Sequence, residues 1–344
     1  MNINIITVHA SGNYGSFLQA YALSRVLSEL YPTYITEAGV RNINKTVYLM
    51  CFKNFMKGIL KGNLKYSEYY RNKYVSFRNN MKCLNRLPLK KASGCFVFGS
   101  DEIWNLNRKE MSDFPVLWGS SLNSQKKIAY APSLNGCPIE TLEKFDFCKE
   151  VQGFSALSAR DSYSCNTLEK ITGRKVEKVI DPTLLITKDE YIRNSKKIDC
   201  KHYIAIYLFH VDDDLIDFLL KFKQKHNLLL LSIGNWYDWC DECVVSENPF
   251  DYYINADYVI TNTFHGTAFA INLEKQFVSF SRSEKISELL DEFELSERDV
   301  KGKSFFEIAN ILETPIQFDN VRLLLAQKRD LSRRFLFDSI KDCN

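Results

Sequence analysis

The 344-residue sequence has no apolar run long enough for a transmembrane helix. Its longest apolar stretches, such as Asn227–Ile233, have the length of a strand and are interrupted by polar residues. The N-terminal residues Met1–Val8 lack the basic flank and the apolar length of a signal peptide, and we expect them to form a buried strand. These absences predict a cytoplasmic protein, which can still meet the inner face of a membrane.

A large excess of one charge sign is also missing, since 45 Lys and Arg residues stand against 42 Asp and Glu residues and the net charge is +3. Such a balance does not imply nucleic acid as a partner. Basic residues and tyrosines are nevertheless concentrated in Lys45–Arg86, within which Lys45–Met81 has helical periodicity. This stretch could contact an anionic acceptor or a membrane surface, although a solvated helical face is the simpler interpretation.

Metal-binding patterns are almost absent. Of the ten cysteines, only Cys240 and Cys243 have a spacing typical of metal ligands, and no second pair or histidine set accompanies them. We therefore expect free thiols in a loop here and reduced cysteines elsewhere. The run Asp212–Asp214 is better explained as the negative first turn of a helix than as a metal motif. The sequence predicts no metal site.

The composition is that of a soluble globular protein, with 45% hydrophobic and 25% charged residues. Because 344 residues exceed what one core usually organises, we predict two α/β domains. The expected N-terminal domain covers 1–186 and the C-terminal domain covers 187–318, while a helix within 319–344 could pack on the first domain. The polar stretch Thr187–Cys200 is interpreted as a linker with a short helix.

Strand-like and helix-like segments alternate in both halves, which predicts Rossmann-like domains with mostly parallel sheets. The predicted strands are Ile3–Val8, Thr33–Thr36, Cys95–Phe98, Lys127–Ala131, Phe154–Ser158, Val176–Ile180, Tyr203–Phe209, Leu228–Ile233, Tyr258–Thr261 and Phe277–Phe280. The predicted helices are Ser16–Leu30, Ile139–Val151, Ser162–Ile171 and Asp319–Lys341, with further helices beginning near Asp212, Phe250, His265, Glu284 and Ser304.

Two glycine-containing loops, Gly12–Gly15 and Thr261–Gly266, each join a predicted strand to a predicted helix. A helix N-terminus offers unpaired backbone N–H groups and a partial positive charge, and glycine lets an anion approach the main chain. Open α/β sheets bind ligands beyond the carboxyl ends of their strands, where both loops are expected. Two such domains facing across a cleft correspond to a GT-B-like architecture.

Six further patterns occur in a fixed order between about Ile3 and Ala270. They are Asn13–Leu23, Gly99–Asn105, Ala129–Ser133, Ser158–Asp161, Asp181–Leu184 and Asn255–Asp257 continuing into Phe264–Ala268. This ordered set resembles the polysaccharide pyruvyl transferase family and is far more specific than any one of its motifs. The resemblance implies transfer of a pyruvyl group from phosphoenolpyruvate, as co-substrate, to sugar hydroxyls, without a bound cofactor.

The chemistry of this transfer requires a fixed partner for each anion of the donor. We expect the phosphate at the helix that begins after His265 and the carboxylate on Arg160. His265 is the candidate phosphate ligand or general acid, with a helix-capping histidine as the alternative. Thr263 stands where many family members have an arginine, and Asn262 where an acidic residue is frequent, so we expect the donor to be held differently there. The expected donor-binding residues are Arg160, Asn262, Thr263, His265, Gly266 and Thr267.

For the acceptor, Asp101 is the candidate base for a sugar hydroxyl, Asn105 its orienting partner and Trp104 a stacking surface. The alternative assigns Ser100 or Asp101 to helix capping and Trp104 to the core. Asp181 is expected to cap or orient Arg160. The other expected acceptor-binding residues are Gly12, Asn13, Tyr14, Gly15, Ser16 and Ser100.

The sequence therefore predicts a metal-independent pyruvyl transferase with His265, Asp101 and Arg160 as catalytic residues. It would form a pyruvate ketal on a hexose of a bacterial cell-surface polysaccharide precursor, either a sugar nucleotide or a lipid-linked oligosaccharide, and release phosphate. The alternatives are a GT-B nucleotide-sugar glycosyltransferase of glycan biosynthesis and a non-catalytic glycan-binding relative.

Overall fold

Two five-stranded parallel sheets, each with helices, make up most of the computed structural model. The structure describes residues 1–10, 12–37, 43–122, 126–196, 198, 202–246, 248 and 250–342. The strands are β1 Ile3–Ile6, β2 Thr33–Glu37, β3 Arg86–Pro88, β4 Cys95–Phe98, β5 Lys126–Ala129, β6 Ser158–Ala159, β7 Glu177–Lys178, β8 Tyr203–Tyr207, β9 Leu229–Ile233, β10 Glu242–Val244, β11 Tyr258–Thr261 and β12 Gln276–Ser279.

The helices are α1 Tyr14–Leu27, α2 Ile43–Leu60, α3 Leu64–Cys83, α4 Lys109–Ser112, α5 Ile139–Leu142, α6 Phe147–Gln152, α7 Ser162–Thr172, α8 Lys188–Arg193, α9 Asp213–His226, α10 Phe250–Ile254, α11 Phe264–Asn272, α12 Glu284–Glu292, α13 Phe305–Glu313 and α14 Phe318–Lys341. Short 3₁₀ turns are Leu89–Lys91, Pro115–Trp118, Pro182–Leu184 and Ser296–Arg298. The five helix starts predicted in the second half each lie within one residue of the observed start.

The contacts of the chain divide it into two compact units. The first consists of Met1–Asn44, Met81–Ile186 and Ala326–Asn344, and the second of Lys45–Asn80 and Thr187–Leu325. The segment 45–80 lies within the expected N-terminal domain, whereas its contacts group it with the second unit. The domain boundaries expected from the sequence, after residues 186 and 318, stay a prediction.

Strand order in the first unit is β3-β2-β1-β4-β5, and in the second it is β10-β9-β8-β11-β12. Every pairing between these strands is parallel, as is the pairing of β6 with β7 in a small separate sheet. All positions of β1, β4 and β8 are buried, which is typical of central parallel strands covered on both faces. The expectation of mostly parallel sheets is confirmed.

One predicted helix, Ile139–Val151, is instead two short helices, α5 and α6. Leu142 and Phe147 are both fully buried. Residues five positions apart point about 140° away from each other on a continuous helix, so a straight helix could not bury both against one core. The chain therefore breaks between them. The strand that contains Cys243, β10, was likewise expected to be loop.

Helices α2 and α3 form a hairpin whose helices approach closely. Ser67 Oγ donates to the Phe55 carbonyl at 2.9 Å, and a Cβ on Gly58 would lie 2.2 Å from the same hydroxyl oxygen. Helix α3 also contacts the rest of the second unit, because Lys73 Nζ donates to the Gly234 carbonyl at 2.7 Å. The hairpin also packs on Trp236, whose ring centroid lies 5.2 Å from that of Tyr66 and 5.4 Å from that of Tyr69.

The C-terminal part of α14 completes the first unit. The Ser332 hydroxyl accepts from the Ile180 backbone N–H at 3.0 Å, and Arg329 Nε donates to the Leu184 carbonyl at 2.6 Å. Leu336 and Ile340, further along the helix, are fully buried. Across the described parts of the chain, no helix has the combination of length and hydropathy needed to span a membrane.

Candidate functional site

The first candidate site begins just beyond β4, at Gly99, Ser100 and Asp101. Gly99 has φ +122°, and a Cβ there would lie 2.0 Å from the Tyr130 carbonyl oxygen, so only glycine fits. Asp101 has φ +71°, a left-handed conformation that aspartate adopts more readily than most residues. This backbone turn fixes where the Asp101 carboxylate emerges from the sheet.

The Asp101 carboxylate accepts hydrogen bonds from Ser16, Glu102 and Arg160. Oδ2 accepts from Ser16 Oγ at 2.9 Å, while Oδ1 accepts from the Glu102 backbone N–H at 2.9 Å and from Arg160 Nη2 at 3.3 Å. The Asp101 side chain keeps 16% of its surface exposed, whereas that of Arg160 keeps 1%. Solvent therefore reaches the carboxylate but not the guanidinium that holds it.

Arg160 joins Asp101 to a second carboxylate. Its Nη1 donates to Asp181 Oδ2 at 2.6 Å, and Asp181 Oδ1 accepts from the backbone N–H and the hydroxyl of Thr183 at 3.0 and 2.8 Å. Burial by itself lowers the pKa of the Arg160 guanidinium, but the charges of Asp181 and Asp101 outweigh burial and raise that pKa above its ordinary value. The expectation that Asp181 orients Arg160 is confirmed.

This geometry revises the expected role of Arg160. A guanidinium that is 1% exposed and bridges two carboxylates offers no face to the carboxylate of a donor in this structure. Its charge compensates Asp181, whose side chain is fully buried, and its planar fork fixes the orientation of Asp101. Arg160 is thus placed as a positioning residue for Asp101.

Gln19, a fully buried residue of α1, was missed as a site residue. Its Oε1 accepts from the backbone N–H and the hydroxyl of Ser100 at 3.2 and 2.9 Å. Its Nε2 donates to the carbonyls of Val8 and Ser16, both at 2.7 Å. These bonds connect the end of β1, the first turn of α1 and the turn after β4. The available signal was a polar residue among the apolar positions of the helix.

The first glycine-containing loop leads into the capped start of α1. Asn13 is the N-cap, because its Oδ1 accepts from the Gly15 backbone N–H at 2.8 Å. Gly12 has φ +75°, a left-handed conformation that suits glycine. The helix that follows contains Ser16, whose hydroxyl donates to the Asp101 carboxylate. Whether Gly12, Asn13, Tyr14 and Gly15 contact an acceptor stays a prediction.

Trp104 lies in the core, as the alternative interpretation of the sequence had it. Its indole is fully buried, packs edge-on against Phe147 and Phe154 at centroid distances of 5.3 and 5.6 Å, and donates from Nε1 to the Leu117 carbonyl at 3.0 Å. A sugar has no indole face to stack on here. Asn105 is 5% exposed, and its Oδ1 has no hydrogen-bond partner in the described part of the chain.

The second candidate site lies in the second unit, at the carboxyl end of β11. Thr263 is the N-cap of α11, since its Oγ1 accepts from the Gly266 backbone N–H at 2.9 Å. Thr261 Oγ1 donates to the Tyr207 carbonyl at 2.8 Å. A Cβ on Gly266 would lie 2.1 Å from Thr261 Oγ1. The close packing of α11 on the end of β11 therefore requires glycine at position 266.

Asn262 and Thr267 make internal contacts in the second unit. Asn262 Oδ1 accepts from the Phe209 backbone N–H at 2.8 Å, and its Nδ2 donates to the Phe209 carbonyl at 2.5 Å. Thr267 is fully buried, donates to the Thr263 carbonyl at 2.9 Å and pairs with the Ser279 hydroxyl at 2.8 Å. These bonds fix the turn between β11 and α11. Donor binding by either residue stays a prediction.

His265 is the second residue of α11 and is partly exposed. Its ring packs between two phenylalanines, with centroid distances of 5.5 Å to Phe264 and 6.2 Å to Phe269. The side-chain cap of this helix is made by Thr263. The predicted contact of His265 with a phosphate remains a prediction.

Cys240 and Cys243 are free, partly exposed thiols. A hydrogen bond between them raises the pKa of Cys240, to which burial adds, and lowers the pKa of Cys243, which burial opposes. Within the described residues, no three His, Cys, Asp or Glu side chains are grouped so as to hold a metal ion. Cys200 and Cys343, also expected to be reduced, lie outside the described residues.

A protein-family model described as Polysaccharide pyruvyl transferase matches residues 13–284, which is most of the chain. The chain belongs to the polysaccharide pyruvyl transferase family. The match spans all the segments that carried the resemblance, from Asn13 to Ala268. A search of curated protein sequences gives no significant match.

Solved structures with a similar fold include two sugar-nucleotide epimerases. The UDP-GlcNAc 2-epimerase from Methanocaldococcus jannaschii has a TM-score of 0.54 and 9% identity, over 93% of this chain and 94% of that chain. The UDP-N-acetylglucosamine 2-epimerase from Rickettsia bellii has a TM-score of 0.51 and 11% identity, over 99% and 96%. At such identities the similarity concerns the fold alone, and the expected α/β fold of GT-B-like type is confirmed.

Four of the family segments meet at one place in the first unit. Ser16, Asp101, Arg160 and Asp181 each belong to a different segment, and hydrogen bonds of 2.6 to 3.3 Å connect them. Of the side chains of Asp101, Arg160 and Asp181, that of Asp101 is the one with appreciable exposed surface. The arrangement can present one oriented carboxylate to a hydroxyl group.

Proposed function

We propose that the protein transfers the enolpyruvyl unit of phosphoenolpyruvate to two hydroxyls of a hexose in a cell-surface polysaccharide precursor, forming a pyruvate ketal. Membership of the family supports a pyruvyl transferase activity. The observation that carries the proposal is the cluster around Asp101, because it holds a partly exposed carboxylate rigidly with a buried guanidinium and a serine hydroxyl. A base for a sugar hydroxyl has to be oriented in this way.

In the proposed reaction, the methylene carbon of phosphoenolpyruvate takes a proton and C2 becomes cation-like. One sugar hydroxyl adds to C2, phosphate leaves, and the second hydroxyl closes the ketal. The two hydroxyl protons end on the former methylene carbon and on the departing phosphate. Asp101 accepts the proton of an attacking hydroxyl, and Arg160 and Ser16 keep its oxygens in place. Proton transfer of this kind contributes on the order of 10²–10⁴-fold to the rate.

The phosphate is proposed to bind at the N-terminus of α11. Backbone N–H groups and the helix dipole favour an anion there, and the partly exposed His265 can donate a hydrogen bond or a proton to it. Thr263 caps this helix instead of supplying the arginine that many family members have at this position. Substitution of His265 by alanine is expected to weaken turnover of phosphoenolpyruvate by about 10²-fold.

The acceptor is proposed to be a hexose of a sugar nucleotide or of a lipid-linked oligosaccharide, modified on the cytoplasmic side of the membrane without a metal ion. The test is to incubate the purified protein with phosphoenolpyruvate and with glycan precursors from cells that lack it. We expect phosphate release that requires both reactants, and a mass increase of one pyruvyl group in the glycan. Phosphate release without glycan modification would contradict the proposal.

A nucleotide-sugar glycosyltransferase is the alternative that the fold allows. Thermal unfolding with phosphoenolpyruvate or with a nucleoside diphosphate separates the two, because a ligand stabilises only the protein that binds it. We expect phosphoenolpyruvate to raise the unfolding temperature. Stabilisation by the nucleotide alone would favour the glycosyltransferase, and stabilisation by a glycan without any phosphate release would favour a non-catalytic relative.

A further inference from the structure

The solvent-facing side of α2 carries an apolar stripe. Between Lys45 and Leu60, eleven residues are exposed, and seven of these are large hydrophobic side chains. Leu60 is 82% exposed, and Leu64, across the hairpin turn, is 69% exposed. We define the stripe as the following residues: Leu49, Phe52, Met56, Ile59, Leu60 and Leu64.

The stripe is not the face with which α2 packs in the hairpin. Val47 and Cys51 are 4% and 2% exposed, and Gly58 approaches Ser67 of α3. These positions recur at helical spacing on the side opposite to Leu49 and Phe52. Helix α2 is therefore apolar on two faces, whereas a surface helix of a globular protein normally has one apolar face and one polar face. A contiguous exposed apolar patch of this kind marks an interaction site.

Positive charge lies beside the stripe. No acidic residue occurs between Glu37 and Glu68, and the stretch from Lys45 to Cys83 contains nine Lys and Arg residues against Glu68 alone. Lys53, Lys57 and Lys61 recur every fourth position, which puts them along one edge of the stripe. An apolar stripe edged by lysines is typical of helices that lie in the interface of an anionic lipid bilayer.

We propose that the stripe and its lysines bind a lipid membrane, with the apolar side chains at the level of the acyl chains and the ammonium groups among anionic headgroups. A second copy of this chain fits less well, because pairing two such faces would bring like charges together. A nucleic acid would leave the apolar side chains without partners. This lipid binding does not depend on the proposed transferase activity, and it would hold the protein where lipid-linked acceptors are found.

The experiment is flotation of the full-length protein with vesicles of phosphatidylcholine, alone or mixed with phosphatidylglycerol. We expect the protein to float with the anionic vesicles and to be released by salt, because exposed charges are screened. The double substitution Phe52→Ser and Leu60→Ser should reduce binding about tenfold or more, since it removes apolar area from the contact. Lys57→Gln with Lys61→Gln should weaken binding to anionic vesicles only.

Matched controls are available on other helices. Phe306 of α13 and Leu331 of α14 are 77% and 60% exposed, so Phe306→Ser with Leu331→Ser removes comparable apolar surface outside the stripe. This variant should float as the unmodified protein does. Because all substituted side chains are exposed, each variant should keep its unfolding temperature.

The proposal fails if the protein does not float, or if the stripe variant floats as well as the control variant. A dimer that dissociates in the stripe variant, without vesicle binding, would assign this face to self-association.

Discussion

The position of the Asp101 carboxylate depends on one buried guanidinium. Arg160 contacts Asp181, which is fully buried, and Asp101, which is 16% exposed. Burying an ion pair costs desolvation, and removing one partner costs more, because the other charge is left buried and uncompensated. The two carboxylates therefore depend on Arg160 in different ways. The positive charge of Arg160 compensates the buried charge of Asp181, whereas the hydrogen bond from Arg160 fixes the orientation of Asp101.

This difference separates stability from catalysis. Arg160→Ala should lower the free energy of unfolding by about 3–5 kcal/mol, because it leaves Asp181 unpaired. Asp101→Asn keeps the side-chain shape and should change stability by no more than about 1 kcal/mol, yet reduce turnover about 10²–10⁴-fold through loss of the base. Urea denaturation and phosphate release measure the two effects. Asp217→Asn, on the exposed side of α9, should alter neither. Full turnover in Asp101→Asn would refute the assignment of the base.

The thiols of Cys240 and Cys243 should differ in reactivity. Their shared hydrogen bond lowers the pKa of Cys243 and raises that of Cys240, so the first proton lost from the pair leaves a thiolate on Cys243. Because the thiolate is the nucleophile, brief treatment with iodoacetamide near neutral pH should label Cys243 roughly tenfold faster than Cys240. Peptide mass spectrometry measures both, with the exposed Cys83 as an internal reference. Equal labelling of the pair would show that the hydrogen bond does not control the thiols.

At the scale of secondary-structure elements, the turn between β11 and α11 is fixed by close packing. Thr261 and Thr263 place their hydroxyls against the first turn of the helix, and Gly266 is the residue that leaves room for them. The backbone of Gly266 is helical, so its requirement is one of space and not of conformation. The position of His265 depends on this turn, since it precedes Gly266 directly.

Gly266→Ala should therefore destabilise the protein by about 1–3 kcal/mol, because the added Cβ would meet Thr261 Oγ1 at 2.1 Å. Gly153→Ala is the matched control. A Cβ there finds its nearest neighbour at 3.4 Å, and its φ of −79° suits alanine, so it should be neutral or slightly stabilising. Chemical denaturation compares the two variants. A destabilisation of the same size in both would show that packing on Thr261 is not the cause.

Glu274 joins three helices of the second unit. It follows α11 and accepts from Lys188 Nζ of α8 at 2.8 Å and from Arg322 Nε and Nη2 of α14 at 2.9 and 2.7 Å. The hydrogen bonds from Arg322 are the largest influence on its pKa. With those of Lys188, they outweigh burial and lower the pKa from 4.5 to about 2. The charged form of Glu274 is therefore favoured by the folded state.

The sign of the pH effect follows from this lowered pKa. The contribution of Glu274 is present above its unfolded pKa of 4.5 and is lost as the pH falls towards about 2. Solvent screening limits it to about 1 kcal/mol. We expect the stability difference between the unmodified protein and Glu274→Gln to be largest at neutral pH and to shrink on acidification through this window. Urea denaturation at several pH values measures it. A difference that stays constant with pH would contradict the ionic origin.

At the scale of the whole molecule, the sequence was informative where a local pattern decides the structure. Tyr258–Thr261 is a strand with the predicted bounds because it is a short β-branched and aromatic run, mostly buried between β8 and β12. The contact of Asp181 with Arg160 was expected from the sequence, whereas the contact of Arg160 with Asp101 was not. The burial of Arg160 was not expected either, because the exposure of a side chain depends on which other parts of the fold pack against it. For the same reason, the core position of Trp104 remained one of two interpretations until its neighbours were known.

Local sequence patterns also do not predict which unit each segment of the chain joins. The chain passes between the two units four times, and the segment 45–80 interrupts the first unit. Its hairpin packs through Tyr66 and Tyr69 on Trp236, which lies more than 160 residues away in sequence. Periodicity identifies such a helix but gives no information on its partner. The C-terminal residues 326–344 return to the first unit in the same manner.

A chain that ends after Leu325 should therefore lack part of the first unit. It would lose Leu336 and Ile340, both fully buried, together with the hydrogen bond that Ser332 accepts from Ile180 and the one that Arg329 donates to Leu184. Each large buried aliphatic side chain contributes about 1.5–3 kcal/mol, so the deletion should remove several kcal/mol and expose the apolar surface beneath α14. Thermal unfolding and binding of a hydrophobic dye measure both effects. A chain that ends after Lys341 keeps these contacts and should behave as the full chain does. If both truncations unfold at the same temperature, the first unit does not need this helix, and the sequence-based boundary at residue 186 would describe a domain that folds by itself.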